Sequence, residues 1–312
     1  KDPKWSNMGH EMIAFTHYYI VENGESFYLH AGESVPIENY EVPRVHHNYK
    51  ETSDDKADWD RLMNAIANGI SSGEMTKVVS SREVEFTSET PYNVASILAN
   101  LVDNNPNCFI FGYEKDGRTF VGASPEILVR HRGSEILSYA LAGTAPKDGP
   151  NGWTKEQLLT NTKNIVEHNI VRDRIVNTMK QITPDVMVGE TGIMELSHLY
   201  HLRTIITAKD STKSLVEWAK LLHPTPALGG EPREKALALL QEYESHERGM
   251  YAAPFGFMKD MGDGIVVVAI RSALIMDNVL YAYAGCGVVA DSDADEEYAE
   301  TNNKMRTILD AL

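Results

Sequence analysis

Short polar turns separate paired strand-like segments at several places along the chain. Such turns occupy residues 115–117, 132–134 and 276–278, and each has a strand-like segment on either side. Two strands joined by so short a turn run antiparallel, because a parallel crossover needs a dozen residues or more. Helical patterns lie between these hairpins instead of alternating with single strands. The sequence therefore predicts an α+β fold, a large layered α/β sandwich with mostly antiparallel sheets.

The other elements are predicted from local periodicity and turn residues. An N-terminal hairpin is predicted from a strand at 13–21, a turn at 22–24 and a return strand at 26–30. Further strands are predicted at 75–86, 108–113, 118–123, 127–131, 135–141, 264–275 and 279–284, and helices at 59–73, from 90 onward, and at 154–182, 214–222, 231–244 and 294–312. A polar, acidic segment at 49–58 is the predicted boundary between a partial N-terminal segment, 1–55, and a main domain, 56–312.

Charge and cysteine content limit the classes of protein. The formal net charge of −16 disfavours nucleic acid and anionic membranes as partners, since both attract a basic surface. An acidic protein can still bind an acidic small molecule if it gathers cations locally or recruits a metal ion. Cys108 and Cys286 are too few for a disulfide framework. With no apolar run of ~18 residues and no signal-peptide core, we expect a cytoplasmic protein.

Two predicted helices carry charged side chains on a face beside an apolar stripe. On the last helix Glu297, Glu300 and Lys304 are spaced three and four apart and therefore share one face. On the long central helix Glu167 and His168 lie beside apolar positions. A solvated, salt-bridging face is the ordinary explanation of such a pattern. The alternative is a site for a hard cation such as Mg²⁺, which prefers carboxylate oxygens and completes its shell with water or substrate.

Other features are compatible with the binding of an anion. Gly285 and Gly287 lie between the predicted closing hairpin and the last helix, where backbone N–H groups and the helix N-terminus can face a ligand. A tight turn explains these glycines equally well. Arg271 interrupts an apolar strand, which indicates either a buried ion pair or a contact with substrate. Lys77, in another apolar strand, would by default be a surface lysine.

Nine segments, in the same order along the chain, resemble the chorismate-utilising enzymes, which include isochorismate, salicylate, anthranilate and aminodeoxychorismate synthases. They are KVV at 77–79, GASPE at 122–126, LAGT at 141–144, KNIVEH at 163–168, HLRT at 201–204, HPTP at 223–226, RS at 271–272, AGCG at 284–287 and EYAET at 297–301 with Lys304. One such segment would be a weak signal, but nine in order are specific. The resemblance covers about 56–312 and implies the fold of these enzymes, with a cleft that holds chorismate and one Mg²⁺.

The resemblance also implies roles for individual residues. Glu167 and Glu300 match the metal ligands of the family, and Glu297 would contribute directly or through water. The residues that would contact the substrate are Arg271, Lys304, the backbone of Gly285 and Gly287, and, with them, His201, Ala142, Gly143 and Thr144. Cations, backbone amides and a metal ion gathered in this way would let an acidic protein accept a dianion.

The nucleophile separates the members of the family. Members that use ammonia take it from a glutaminase partner, and they typically lack a lysine at the position that matches Lys77. The resemblance therefore indicates the branch that adds water at C2 of chorismate and expels the C4 hydroxyl to give isochorismate. In this branch Lys77 would be the general base and Glu126 the general acid, with no obligatory glutaminase partner. The alternatives are a salicylate synthase, which shares both residues and also eliminates pyruvate, and an anthranilate or aminodeoxychorismate synthase component.

Overall fold

The computed structural model describes residues 2–9, 11–22, 24–36, 40–147, 152–259 and 261–312. The strands are β1 (His17–Glu22), β2 (Glu25–His30), β3 (Tyr49–Glu51), β4 (Lys77–Ser88), β5 (Phe109–Lys115), β6 (Arg118–Ser124), β7 (Ile127–Arg132), β8 (Glu135–Pro146), β9 (Val186–Val188), β10 (Gly192–Glu195), β11 (Leu199–Lys209), β12 (Gly230–Glu231), β13 (Pro254–Met258), β14 (Gly264–Val268), β15 (Ser272–Met276) and β16 (Val279–Val288). The helices are α1 (Lys56–Ser71), α2 (Val94–Asn104), α3 (Lys155–Thr160), α4 (Thr162–Lys180), α5 (Leu215–Leu222), α6 (Arg233–Tyr243) and α7 (Ala294–Leu309). None of the helices in these ranges has the length and apolar composition needed to cross a membrane.

Two seven-stranded sheets form the centre of the fold. In the first sheet the strand order is β12-β4-β16-β15-β6-β5, with β3 paired to β4. In the second sheet the order is β10-β11-β8-β7-β14-β13, with β9 paired to β11. The pairings of both sheets are antiparallel, including the long ones of β4 with β16 and β8 with β11. The predicted α+β fold with antiparallel sheets is confirmed.

A common hydrophobic core joins the two sheets. Phe120 and Leu274 of the first sheet belong to the same buried cluster as Leu128 and Ile206 of the second. Helices α4 and α5 pack against strands of the second sheet. On the first sheet, α2 and α7 enclose one further cluster, and α1 and α6 enclose another. Each sheet thus buries its apolar side chains against a neighbouring layer, as a layered sandwich requires.

The segment predicted as one strand at 264–275 is two strands in different sheets. Strand β14 ends at Val268 in the second sheet, and β15 begins at Ser272 in the first. Between them Arg271 has a positive φ of 53°, which a residue with a side chain keeps only when its surroundings hold it there. The prediction of a single strand was wrong because both segments are apolar, and a continuous apolar run does not show where the chain passes from one sheet to the other. The change places Arg271 at the junction of the two sheets.

Gly285 and Gly287 lie inside a strand and not in a turn. Strand β16 continues to Val288, and both glycines pair with β4. Helix α7 begins only at Ala294, so its N-terminus does not continue from the glycine segment. The alternative of a tight turn was wrong, because the small residues after Ala284 continue the pairing with β4 instead of ending it. The contact of this backbone with an anion stays a prediction.

Helix boundaries differ from the predicted ones where asparagine side chains cap a helix. The predicted helix at 154–182 is broken at Asn161, which has extended backbone and accepts a hydrogen bond from the N–H of Asn164. The helix predicted from 90 begins at Val94, because the side chain of Asn93 supplies the cap. The strands β9, β10 and β11 were not predicted.

The N-terminal part contains the predicted hairpin. Its first strand begins at His17, four residues after the predicted start, and pairs with β2. Asn23, in the predicted turn, lies outside the described residues. Residues 49–51 of the predicted boundary segment form β3 and belong to the first sheet. The division of the chain at residue 55 stays a prediction.

Candidate active site

One cavity is lined by both sheets and by helices α4 and α7. The predicted site residues that line it are Glu126, Ala142, Thr144, Glu167, His201, Arg271, Gly285, Gly287 and Lys304. A second cavity adjoins the first, since Thr144 and Glu167 line both. The second cavity contains the remaining predicted carboxylates, Glu297 and Glu300. The fold therefore gathers predicted residues that are as much as 178 positions apart in sequence, as with Glu126 and Lys304.

Lys77 is fully buried although it is the first residue of a strand. Its Nζ donates a hydrogen bond of 2.9 Å to Oε1 of Glu167 on α4. Gly287, on the neighbouring strand, has no side chain, and the ion pair occupies the space that a side chain there would fill. A Cβ at that position would lie 2.7 Å from Cε of Lys77 and would overlap Oε1 of Glu167. Because a buried ammonium is tolerated only when paired, Glu167 holds the lysine beside the cavity.

Glu126 follows β6 and has a side chain that is almost completely enclosed. Within the described part of the chain, Oε1 of Glu126 has no hydrogen-bond partner. Burial raises its pKa to about 8, although the positive charges of Lys77, Arg271 and Lys304 act in the opposite direction. A carboxyl group with this pKa is largely protonated at neutral pH and can donate a proton.

Arg271 and His201 form a buried pair at the junction of the sheets. Nη2 of Arg271 donates to Nε2 of His201 at 2.7 Å. Because a guanidinium only donates, Nε2 is an acceptor and the neutral ring carries its proton on Nδ1, which lies 3.1 Å from Oγ1 of Thr144. Burial and the charges of Arg271 and Lys304 lower the pKa of His201 well below its ordinary value. His201 therefore orients the guanidinium without adding a charge.

Three carboxylates near the two cavities are each paired with a lysine. Besides Glu167 with Lys77, Glu300 accepts from Nζ of Lys304 at 2.6 Å, and Glu297 accepts from Nζ of Lys163 at 2.7 Å. Lys304 also donates to the carbonyl oxygen of Gly285 at 2.8 Å. These contacts tie α7 both to strand β16 and to helix α4.

The carboxylates are close enough to influence one another. Burial raises the pKa of Glu300, and the charges of Glu297 and Glu167 raise it further, whereas Lys304 lowers it. Among the described residues, no three acidic, histidine or cysteine side chains converge on one point as a metal cluster. The chemistry of the donors nevertheless fits a hard divalent cation, because repelling carboxylates at a shared cavity are the groups that such an ion stabilises.

Arg248 and Tyr251 line the first cavity but were not predicted. Arg248 is held by Glu244 and donates to the backbone carbonyls of Leu228 and Val79 at 2.7 Å each. Burial raises the pKa of the Tyr251 hydroxyl, which therefore stays protonated. The segment that carries both residues has no helical or strand periodicity. The one sequence feature that could have marked it as part of a site is an arginine and a tyrosine close together.

Arg82 is a further buried residue that was not predicted. It lies on β4, forms an ion pair with Asp55 before α1, and donates to Thr301 and Asn302 on α7. Its guanidinium also stacks on the ring of Tyr298 at 3.5 Å. Arg82 thereby fixes the helix that carries Glu297 and Glu300 relative to the strand that carries Lys77.

Comparisons with known proteins agree with this arrangement. Residues 26–312 match the family described as "Chorismate binding enzyme". The isochorismate synthase MenF of Bacillus subtilis (strain 168) is 36% identical over 264 residues, which are 83% of this chain and 56% of that protein. The chain therefore spans little more than half the length of this relative. It belongs to the chorismate binding enzyme family.

Two solved structures have the same fold. The putative 2,3-dihydroxybenzoate-specific isochorismate synthase DhbC from Bacillus anthracis matches with a TM-score of 0.80 and 28% identity, over 92% of this chain and 78% of that one. Anthranilate synthase component I from Streptococcus pneumoniae matches with a TM-score of 0.74 and 25% identity, over 88% of this chain and 62% of that one. The same fold thus occurs in proteins named isochorismate synthase and anthranilate synthase component I.

Proposed function

We propose that this chain is an isochorismate synthase, an isomerase that converts chorismate to isochorismate with Mg²⁺. The observation that carries the proposal is the burial of Lys77 and Glu126 near one cavity. Glu126 lines the first cavity, whereas Lys77 is paired with Glu167, which lines it, and the charge of Lys77 acts on the pKa of Glu126. Lys77 can act as a base, and Glu126, with a pKa of about 8, can act as an acid. The name of the relative from Bacillus subtilis supports the same reaction.

The substrate is a dianion, and the site offers cations in spite of the acidic chain. We assign a carboxylate of chorismate to Arg271, with help from Lys304 and from the backbone at Gly285 and Gly287. Both cations line the first cavity and are mostly buried. Charge-assisted hydrogen bonds are stronger in such a setting than in water. The segment Ala142–Thr144 would line the ring of the substrate.

The reaction needs a base that removes a proton from water and an acid that gives a proton to the leaving hydroxyl. In the proposed step, Lys77 first releases its ammonium proton to solvent, and the amine then takes a proton from a water molecule as the water oxygen bonds to C2 of chorismate. The ring electrons shift, the bond between C4 and its hydroxyl oxygen breaks, and Glu126 gives its proton to that oxygen, which leaves as water. Lys77 is then an ammonium again and Glu126 has one proton fewer, which exchange with solvent restores.

We assign Mg²⁺ to Glu167 and Glu300, with Glu297 binding directly or through water. When bound, the ion would neutralise carboxylate charge on the substrate and on the protein. Each of these carboxylates is also paired with a lysine. Because Mg²⁺ would compete with these lysines for the carboxylate oxygens, replacement of any one of the carboxylates should weaken Mg²⁺ binding.

Replacement of Glu300 with glutamine is expected to weaken Mg²⁺ binding by about tenfold or more, because an amide oxygen is a poorer ligand than a carboxylate. Isothermal titration calorimetry with MgCl₂ measures the effect. The matched control is Glu234→Gln on the exposed face of α6, which lines neither of the two cavities and should bind Mg²⁺ almost as wild type does. Equal affinities in the two variants would remove Glu300 from the metal site.

Replacement of Gly287 with alanine is expected to reduce turnover of chorismate by about 100-fold, because the new methyl group would displace the ion pair of Lys77 and Glu167. The matched control is Gly112→Ala in the same sheet, where a Cβ would meet side-chain carbons of Leu98 and Val121 at 3.4 to 3.9 Å. Steady-state kinetics and thermal melting are compared for both variants. Normal turnover in the Gly287 variant would argue against the importance of this ion pair.

Product analysis after incubation of the protein with chorismate and Mg²⁺ tests the proposed function itself. Isochorismate alone is the expected product. Salicylate with pyruvate would identify a salicylate synthase. Ammonium salts should yield no substantial aminated product, because Lys77 indicates the branch of the family that uses water as the nucleophile. An aminated main product, or no turnover at all, would overturn the proposal.

A further inference from the structure

Strand β8 is irregular at Gly143, in the middle of the wall of the first cavity. His201 of β11 is opposite Thr144, and Leu202 is opposite Ala142, so Gly143 has no residue opposite it in the register, although its backbone is hydrogen-bonded to the His201 side chain. Its φ is +79°, a value that favours glycine. A Cβ at this position would also lie 3.0 Å from the backbone oxygen of Asn164. The bulge is therefore built against helix α4.

Two side chains of α4 bind the backbone groups that flank the bulge. The N–H of Thr144 donates to Oδ1 of Asn164 at 3.0 Å. Nδ1 of His168 lies 3.2 Å from the carbonyl oxygen of Ala142 and must be the donor, because a carbonyl only accepts. Nε2 of His168 then accepts from Oγ1 of Thr204 at 2.7 Å. Asn164 and His168 are one helical turn apart and buried, so they hold the bulge from one face of α4.

The bulge also connects to the residues that contact substrate in the proposed function. The side chain of Thr144 bonds to Nδ1 of His201, whose Nε2 accepts from Arg271. On the other side, Glu167 lies between Asn164 and His168 on the same helix. A continuous series of hydrogen bonds therefore joins the helix that carries a carboxylate of the metal site to the arginine at the junction of the sheets.

We propose that Asn164 and His168 are positioning residues, which hold the Gly143 bulge and thereby set Arg271 and Glu167 at a fixed separation. The assignment of Arg271 to a substrate carboxylate rests on the proposed function, whereas the anchoring of the bulge does not. His168 lines neither of the two cavities and acts through its bond to Ala142. Asn164 lines the second cavity, and its Oδ1 holds the N–H of Thr144. Removal of either anchor leaves a backbone group without its side-chain partner and lets the bulge move.

The test compares two substitutions of His168. Asparagine can place its amide N–H where Nδ1 lies and keep the bond to Ala142, whereas leucine fills similar volume without a donor. The His168→Leu variant is expected to bind chorismate about tenfold or more weakly in the presence of chelator, a change equivalent to about 1.4 kcal/mol. Its KM should rise more than its kcat falls, and His168→Asn should recover much of the affinity. The Asn164→Ala variant removes the other side chain that holds the bulge and should show a similar loss of chorismate affinity.

A matched control separates positioning from stability. Val171→Ala shortens a fully buried side chain of the same helix that makes none of the hydrogen bonds to the bulge, and it should lower the melting temperature without changing chorismate affinity. A second measurement needs no reaction. Amide hydrogen exchange of residues 140–146 should be faster in His168→Leu than in wild type, and unchanged in Val171→Ala.

The outcomes distinguish this proposal from the proposed function. If wild-type protein makes isochorismate and His168→Leu binds chorismate normally, with unchanged exchange at 140–146, the positioning role is overturned and the function stands. An equal loss of affinity in Val171→Ala would also overturn it. If wild-type protein does not bind chorismate, the proposed function fails, and the exchange measurement alone decides whether His168 holds the bulge.

Discussion

Replacement of Lys77 with methionine is expected to reduce conversion of chorismate to isochorismate by about 100-fold or more, the usual contribution of a general base. Methionine keeps most of the length and the apolar stem of lysine, so the packing around this fully buried side chain is retained. Chorismate affinity should change little, because Lys77 is not a proposed carboxylate anchor. Steady-state kcat and the dissociation constant of chorismate, both at saturating Mg²⁺, measure the two effects separately.

The substitution also leaves Glu167 without its lysine, and the control must reproduce that effect. Lys163→Met serves this purpose, because Lys163 pairs with Glu297 as Lys77 pairs with Glu167. It should alter the Mg²⁺ dependence but cost far less turnover once Mg²⁺ is saturating. Near-normal isochorismate formation by Lys77→Met would disprove the proposed base, and with it the reason for choosing water over ammonia.

Replacement of Glu126 with glutamine is expected to lower kcat by a similar factor, about 100-fold or more, because the amide has no acidic proton for the leaving hydroxyl. Glutamine has nearly the same shape as glutamate. Among the described residues Oε1 of Glu126 has no hydrogen-bond partner, so the substitution breaks no bond at that atom and the cavity should keep its form. A dissociation constant for chorismate close to that of wild type is the accompanying expectation. Loss of binding without loss of kcat would assign Glu126 to substrate contact instead of proton transfer.

The pH dependence of stability checks the raised pKa of Glu126 without any substrate. Its pKa is about 8 in the folded protein against an ordinary value of 4.5, so between these values the folded state holds a proton that the unfolded state has lost. The contribution of Glu126 to the free energy of unfolding is therefore greatest below about pH 4.5 and is lost as the pH rises to about 8. Glutamine does not titrate. The Glu126→Gln variant should thus gain stability relative to wild type between pH 5 and pH 8, as measured by urea midpoints, and a constant difference would contradict the raised pKa.

Much of the secondary structure followed from local pattern. The hairpin around residues 115–117 and the final helix from Ala294 were predicted close to their observed bounds. Turn residues and helical spacing act over a few positions, so a sequence displays them directly. The segment at 264–275 was different, because both of its strands are apolar and nothing in the local pattern indicates that they belong to different sheets. The residues of the proposed site were named through resemblance to a family, and their roles stay predictions.

The sequence by itself determined the antiparallel α+β class, the helical face with Glu297, Glu300 and Lys304, and the chemical types available for acid, base and metal binding. Only the tertiary structure decided which groups meet. Lys77 and Glu167 are 90 positions apart, and Lys163 and Glu297 are 134 apart. Such pairs form because the packing of sheets and helices excludes water and leaves each buried charge one available partner. No local periodicity encodes that choice, since it depends on where distant segments come to lie.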